Sequence, residues 1–307
     1  MPHSGELCAL LTALCFTASS TSFALSSRAV GGIATNQFRL WLAVPVLGAL
    51  AWLASGSAWL DAGAERLLWL CASGLAGLVL GDIGYFHALA TIGPRISAVL
   101  MATWPALAVA MALPLGERPD LQLFVGVLLM LAGVVLVLLR SREGSAWAPG
   151  LTTRAFTLGV LGALLGAFGQ ALGVVLAKRG MAPAADLPDG VDPLAATFVR
   201  MLAGALGVQV VATLQRQPFA GRAVLGNRTA LLGASFGMVF GPVLGVWLSM
   251  VATKNVASTG VAAALMATMP LFMMPVARLV YGARIGGFGV FGTLLAVGGA
   301  VVLLLRP

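Results

Sequence analysis

The amino-acid sequence predicts an all-α membrane protein with about ten transmembrane helices, arranged as two inverted five-helix repeats. Three observations support this fold class. The chain is 60% hydrophobic and only 9% charged, whereas soluble domains are about 25% charged. Its apolar residues fall into stretches of the ~20 residues that a membrane-crossing helix requires. Finally, the end of the first half of the chain recurs in the second half.

The polar breaks of the sequence separate ten apolar stretches, five on each side of a polar linker. We expect a first repeat at residues 1–140, a linker at 141–153 and a second repeat at 154–307. The start, Met1-Pro-His-Ser, lacks the basic region of a cleaved signal peptide, so we interpret the first stretch as a retained helix. The ten stretches are 6–27, 33–54, 67–89, 94–114, 121–139, 155–177, 194–214, 229–250, 258–280 and 286–305.

The internal repeat is most distinct near the end of each half. Met101-Ala-Thr-Trp-Pro105 recurs as Met266-Ala-Thr-Met-Pro270. Further on, an offset of 166 residues pairs Gly126 with Gly292 and Gly133 with Gly299. Because each half has an odd number of spans, the second half enters the membrane with opposite polarity. Inverted halves of this kind are typical of secondary transporters, whose substrate site lies near the bilayer midplane.

The charge of the chain suggests membrane topology rather than nucleic-acid binding. The net charge is +8, but the basic residues lie mainly in short loops, where they orient a membrane protein. No basic run is interleaved with aromatic residues, so we predict the lipid bilayer as partner and no nucleic acid. We predict no cofactor and no metal, because the three cysteines have no ligand spacing.

Asp82 is the most informative ionisable residue, because it lies inside the third apolar stretch. An intramembrane carboxylate costs about 2.5–3.5 kcal/mol to insert and normally faces a cavity or a partner. It is either a proton-coupling or substrate-binding group, or a structural carboxylate paired with a neighbouring helix. His87 is five residues away and therefore turned about 140° from Asp82. It is a candidate cavity residue or an interfacial hydrogen-bonding group.

Arg39 and Arg200 occupy equivalent positions in the two repeats. Both are candidates for a gate or an anion contact. The alternative is that their long side chains reach towards the nearest membrane interface.

Paired helix breaks are predicted at Trp104-Pro105 and Met269-Pro270, since proline removes a backbone hydrogen bond. Within a membrane such breaks persist only beside protein or water. We therefore predict that Trp104, Pro105 and Pro270 line a midplane site; helix bending alone is the alternative. Pro242 interrupts the eighth stretch similarly, and Trp247 is a further candidate for the cavity wall.

Several of these motifs, taken in order, resemble the drug/metabolite transporter superfamily, in its ten-helix branch with two EamA domains. The matching segments are Arg39, Gly81-Asp-Ile-Gly-Tyr-Phe-His-Ala-Leu89, Trp104-Pro105, Leu115-Gly-Glu-Arg118 and the Gly126/Gly133 helix. The resemblance implies a central cavity, export or exchange of small metabolites, and Glu117 and Arg118 as family-motif residues. The second copy of that motif reads Gly282-Ala283-Arg284 and lacks the glutamate.

We therefore expect a secondary transporter that moves a small metabolite by alternating access, driven by protons or by exchange. An intramembrane enzyme and a channel-like pore are the alternatives. Gly233-Ala-Ser-Phe-Gly237 resembles a hydrolase elbow, but such an elbow needs a strand-to-helix turn. We expect an integral multi-pass protein of the cell (inner) membrane. The resemblance implies cytoplasmic termini, whereas the positions of the basic residues favour the reverse orientation.

Overall fold

A computed structural model describes residues 4–55, 63–112, 121–141, 150–183, 187–255, 265–282 and 286–304. This described part is 89% helical and has no β-strands. Six of its helices are long and apolar enough to cross a membrane, and three shorter apolar helices accompany them. Helix is present in each of the ten predicted stretches. The prediction of an all-α membrane protein is confirmed.

The ten spans are numbered here in chain order. The first half contains Ser4–Val30, Gly32–Ser55, a third span in three segments (Gly63–Gly74, Leu75–Gly81 and Asp82–Thr91), a fourth in two (Gly93–Met101 and Trp104–Ala112), and Leu121–Ser141. The second half contains Thr153–Met181, Pro193–Leu214, an eighth span in three segments (Arg228–Met238, Val239–Gly245 and Val246–Asn255), Met269–Tyr281 and Gly287–Leu304.

Polar side chains and glycines mark the ends of the spans. Asp192 accepts hydrogen bonds from the backbone N–H groups of Leu194 and Ala195, and so caps the seventh span, which stabilises a helix N-terminus. Gly31 and Gly93 have φ of +91° and +80°, a conformation that suits glycine and permits tight turns. Short connections of this kind keep consecutive spans adjacent.

The middle of the third span is a π-helix, and the eighth span has another at the equivalent position. They cover Leu75–Gly81 and Val239–Gly245, seven residues each, and are related by a constant offset of 164 residues. The π-helices were not predicted. Such segments are uncommon and are often found at functional sites.

The fourth and ninth spans are both interrupted at equivalent points. The breaks lie at Ala102–Thr103 and Ala267–Thr268, immediately before the Trp104-Pro105 and Met269-Pro270 pairs. Each proline is then the second residue of the next helical segment, in the first turn, where its missing N–H has no intrahelical partner to lose. At both breaks a threonine hydroxyl donates to a backbone carbonyl, from Thr103 to Leu100 at 2.7 Å and from Thr268 to Leu265 at 2.6 Å.

The packing of the spans has two-fold pseudo-symmetry. The second, fourth and fifth spans pack against their equivalents, the seventh, ninth and tenth. The first span packs on the eighth just as the sixth packs on the third. Each half therefore packs its first span against the third span of the other half, as expected for two repeats related by a two-fold axis.

The fifth and tenth spans show that the repeats are inverted. Gln122, at the start of the fifth span, donates a hydrogen bond of 2.8 Å to the carbonyl of Val302, at the end of the tenth. A Cβ on Gly299 would lie 2.6 Å from the carbonyl oxygen of Gly126. One on Gly292 would lie 2.9 Å from that of Gly133. The two equivalent helices thus run antiparallel, which requires a two-fold axis across them.

The third and sixth spans approach each other so closely that side chains would not fit between them. A Cβ on Gly162 would lie 2.6 Å from the carbonyl oxygen of Gly84, and one on Gly81 would lie 3.2 Å from the Cα of Gly169. The small residues of the sixth span thus serve helix packing. This contact holds the π-helix of the third span in place.

Candidate functional site

A cavity lies where the two halves meet. It is lined by residues of the first to fourth spans and of the sixth, eighth and ninth. The space that the centres of water molecules can occupy is about 100 Å³. One water needs about 10–15 Å³ by this measure, so the cavity has room for a small solute.

A buried ion pair between Arg39 and Asp82 forms one wall of this cavity. The Nη2 atom of Arg39, on the second span, donates to Oδ2 of Asp82, on the third. The Arg39 side chain is 5% exposed and that of Asp82 is 17% exposed. Asp82 follows directly after the π-helix, and its backbone N–H bonds to the carbonyl of Gly77 five residues earlier. The third span thus presents its carboxylate to both the cavity and the arginine.

Other groups besides the Asp82 carboxylate hold the Arg39 side chain in place. Its Nε donates to Oδ1 of Asn36 at 2.9 Å, and the Asn36 amide donates to the carbonyl of Leu78 at 3.1 Å. The guanidinium carbon lies 5.1 Å from the ring centre of Phe23 and 4.8 Å from that of Phe86. These distances fit cation–π contacts. The first, second and third spans together therefore fix this cation.

Hydroxyl groups extend the polar wall. Ser20 and Tyr85 share a hydrogen bond of 2.7 Å across the first and third spans. Ser19, Ser20 and Tyr85 line the cavity. In contrast, Thr17 donates to the carbonyl of Ala13 four residues earlier, at 2.8 Å. The first span carries several hydroxyl groups between Thr17 and Ser22. Some of them line the cavity, and others bond to the backbone of their own helix.

Another part of the cavity lining is apolar and contains both helix breaks. Ala102 and Trp104 line it from the fourth span, and Ala267, Met269 and Pro270 line it from the ninth. Trp104 is buried at 5% exposure. The structure therefore brings the two predicted breaks to the same cavity as the ion pair.

Arg200 is buried as deeply as Arg39, but its surroundings differ. The residue is 3% exposed, and its Nη1 lies 2.9 Å from Sδ of Met250. Its Nε has no hydrogen-bond partner among the residues that the structure describes. The alternative that Arg39 and Arg200 reach towards the membrane interface does not fit the structure, because both side chains are buried among the helices.

Several predicted site residues lie elsewhere. His87 is exposed and does not line the cavity, because it is turned well away from Asp82 on the helix. Trp247 is 36% exposed and also lies outside it, since it points about 100° away from its cavity-lining neighbour Val246. Pro105 is buried beside Trp104 but is not part of the lining. Glu117 and Arg118 lie outside the described residues.

Several residues of the site were not predicted from the sequence. Gln170 lines the cavity and Asn36 holds Arg39; both are polar groups inside apolar stretches, a signal that could have identified them. Phe23, Phe86 and Tyr85 line the cavity but carry no such signal, because an aromatic ring does not stand out within an apolar stretch.

The fold and the cavity define a class of protein: a membrane transporter made of two inverted helical repeats. The family comparison agrees. The model of the EamA-like transporter family matches residues 3–139 and again residues 157–305. The chain belongs to this family, within the drug/metabolite transporter superfamily.

The other comparisons concern fold alone. One solved structure, described only as a crystal structure of a protein, is similar with a TM-score of 0.64 and 23% sequence identity. The match covers 99% of this chain and 98% of that one. No curated protein matches the chain significantly.

Proposed function

We propose that this protein is a secondary transporter that moves a small amphiphilic metabolite across the cell (inner) membrane by alternating access. The expected mode of transport is efflux or exchange. Substrate binds in the cavity between the halves, and one half then rocks against the other. The main support is that a buried ion pair and two equivalent helix breaks line a single cavity.

The chemistry of the lining suggests the kind of solute. Phe16, Trp104 and Met266 offer an apolar surface, which suits the body of a small organic molecule. Polar groups are concentrated at Arg39 and Asp82, with Gln170 and Ser20 nearby. A molecule with an apolar body and one polar end matches this division.

Alternating access is favoured by the inverted repeat. Two conformations related by exchanging the roles of the halves open to opposite sides of the membrane, with the cavity between them. Energy would come from protons or from a counter-transported solute, with Asp82 as the proposed proton-coupling group. An intramembrane enzyme needs a converging set of reactive groups. We propose that the Arg39–Asp82 pair takes part in transport and not in catalysis.

A counterflow experiment tests this proposal. Purified protein in liposomes would be loaded with an unlabelled metabolite and given the labelled compound outside, with and without a pH gradient. A carrier gives saturable uptake and a transient overshoot. Non-saturating flux without overshoot would indicate a channel-like pore. Chemical conversion of the labelled compound would indicate an enzyme.

A further inference from the structure

Arg200 lacks the partners that its equivalent has. The offset of 164 residues that relates the two π-helices places Val246 at the position of Asp82 and Met250 at that of Phe86. Arg39 pairs with Asp82 and lies over Phe86. Arg200 instead contacts Met250 Sδ, a weak acceptor, and within the described part of the chain its Nε has no partner. The second half thus retains the buried cation without the buried anion.

The charges around the π-helix of the third span therefore do not balance. Arg39 and Arg200 carry two positive charges, whereas Asp82 supplies one negative charge. A buried charge is stable only when it is paired. One further negative charge would neutralise the set, and the cavity beside Arg39 is where a solute can bring it.

Asp82 is placed to serve either arginine. A Cβ on Gly77 would lie 3.6 Å from Nη2 of Arg200, so this guanidinium lies beside Gly77. The Asp82 N–H bonds to the Gly77 carbonyl across the π-helix. Arg200 therefore lies about one helical turn from Asp82. Glycine leaves the space between them free of a side chain.

We infer that the cavity binds a monoanionic solute, whose anionic group pairs with Arg39 while Asp82 transfers to Arg200. This inference rests on the proposed transport function and specifies the charge of the substrate. Arg200 acts as a positioning residue that receives the displaced carboxylate. The solute then completes two buried ion pairs in place of one, while its apolar body lies against Trp104 and the methionines.

The first test uses three probes that share an aromatic body and differ in charge: phenylacetate, phenethylamine and 2-phenylethanol. Binding to purified protein is measured by Trp fluorescence and by thermal shift. We expect phenylacetate to bind at least tenfold more tightly than the other two. Preference for the amine or the alcohol, or equal affinity for all three, would overturn the inference.

The second test separates transfer to Arg200 from a structural role. Arg200→Met should weaken phenylacetate binding at least tenfold while leaving the affinity for phenylethanol unchanged, and Arg200→Lys should retain most of the anion affinity. Because Arg200→Met removes an unpaired buried charge, the Tm of the ligand-free protein should stay constant or rise. Unchanged phenylacetate affinity in a folded Arg200→Met variant would refute the transfer.

The third test needs no ligand. Val246→Asp gives Arg200 its own carboxylate, at the position equivalent to Asp82. We expect a higher Tm in the arginine-containing protein and a lower one when Val246→Asp is combined with Arg200→Met. Equal effects in both backgrounds would show that Arg200 does not need an anion. If counterflow succeeds with a cation or a neutral solute independently of Arg200, the transport function stands and this inference fails.

Discussion

The Arg39–Asp82 pair allows a quantitative test by a double-mutant cycle on the free energy of unfolding. Two unit charges 4 Å apart attract by about 4 kcal/mol at an effective dielectric constant of ~20. Removing one member of a buried pair typically costs about 3–5 kcal/mol, because the other charge is left without compensation.

The surroundings refine these values. Asp82→Asn leaves Arg39 buried, but Asn36 and two aromatic rings still hold it. We therefore expect a loss near the lower limit, about 3 kcal/mol. Arg39→Met leaves Asp82, which is 17% exposed to the cavity and can be partly hydrated, so we expect about 2 kcal/mol. The double variant leaves neither member of this pair without its partner and should lose only about 2 kcal/mol.

The cycle is measured by SDS or urea titration of the purified protein in mixed micelles of fixed composition. The expected coupling between the two residues is about 3 kcal/mol. Additive losses in the double variant would refute the argument that the pair is desolvated and mutually dependent.

Three further predictions concern transport and packing. If Asp82 couples protons, Asp82→Asn should abolish uptake driven by a pH gradient but retain exchange, since the amide resembles the protonated carboxyl; unchanged pH dependence in liposomes would exclude this role. Trp104→Ala should change the apparent affinity for solute in counterflow assays, whereas Trp247→Ala, at an exposed position, should not; equal effects would remove Trp104 from the site. Gly84→Ala places a Cβ against the carbonyl of Gly162 and 3.0 Å from the Leu165 Cβ, and should cost about 1–3 kcal/mol in the same titration. The matched control is Gly298→Ala, whose Cβ would meet nothing within 4 Å; an equal loss in both would contradict the packing argument.

The sequence was sufficient for the overall fold because lipid imposes a simple rule on it. Every span must be apolar and about 20 residues long, so ten stretches could be counted. The duplicated Met-Ala-Thr-X-Pro segment gave their arrangement in two halves. Asp82 stood out for the same reason, as an isolated carboxylate within an apolar span.

The sequence did not show which face of each span points to the cavity. Lipid and protein interior are both apolar, so the spans show no polar face that would distinguish cavity from membrane. For this reason His87 and Trp247 were predicted at the cavity but lie outside it. The pairing of Arg39 with Asp82 depends on contacts between the second and third spans. The π-helices depend on about one additional residue in a helical turn. A hydropathy pattern shows neither of these features.

The matching π-helices also suggest an order of events in the evolution of the gene. Leu75–Gly81 and Val239–Gly245 have the same length and lie at the same point of each half. Two independent insertions at one position are less simple than a single insertion that was copied when an ancestral half-gene duplicated. The widened turn would then be older than the two-repeat protein itself. The carboxylate that follows it in only one copy marks the later divergence of the halves, after which each could specialise.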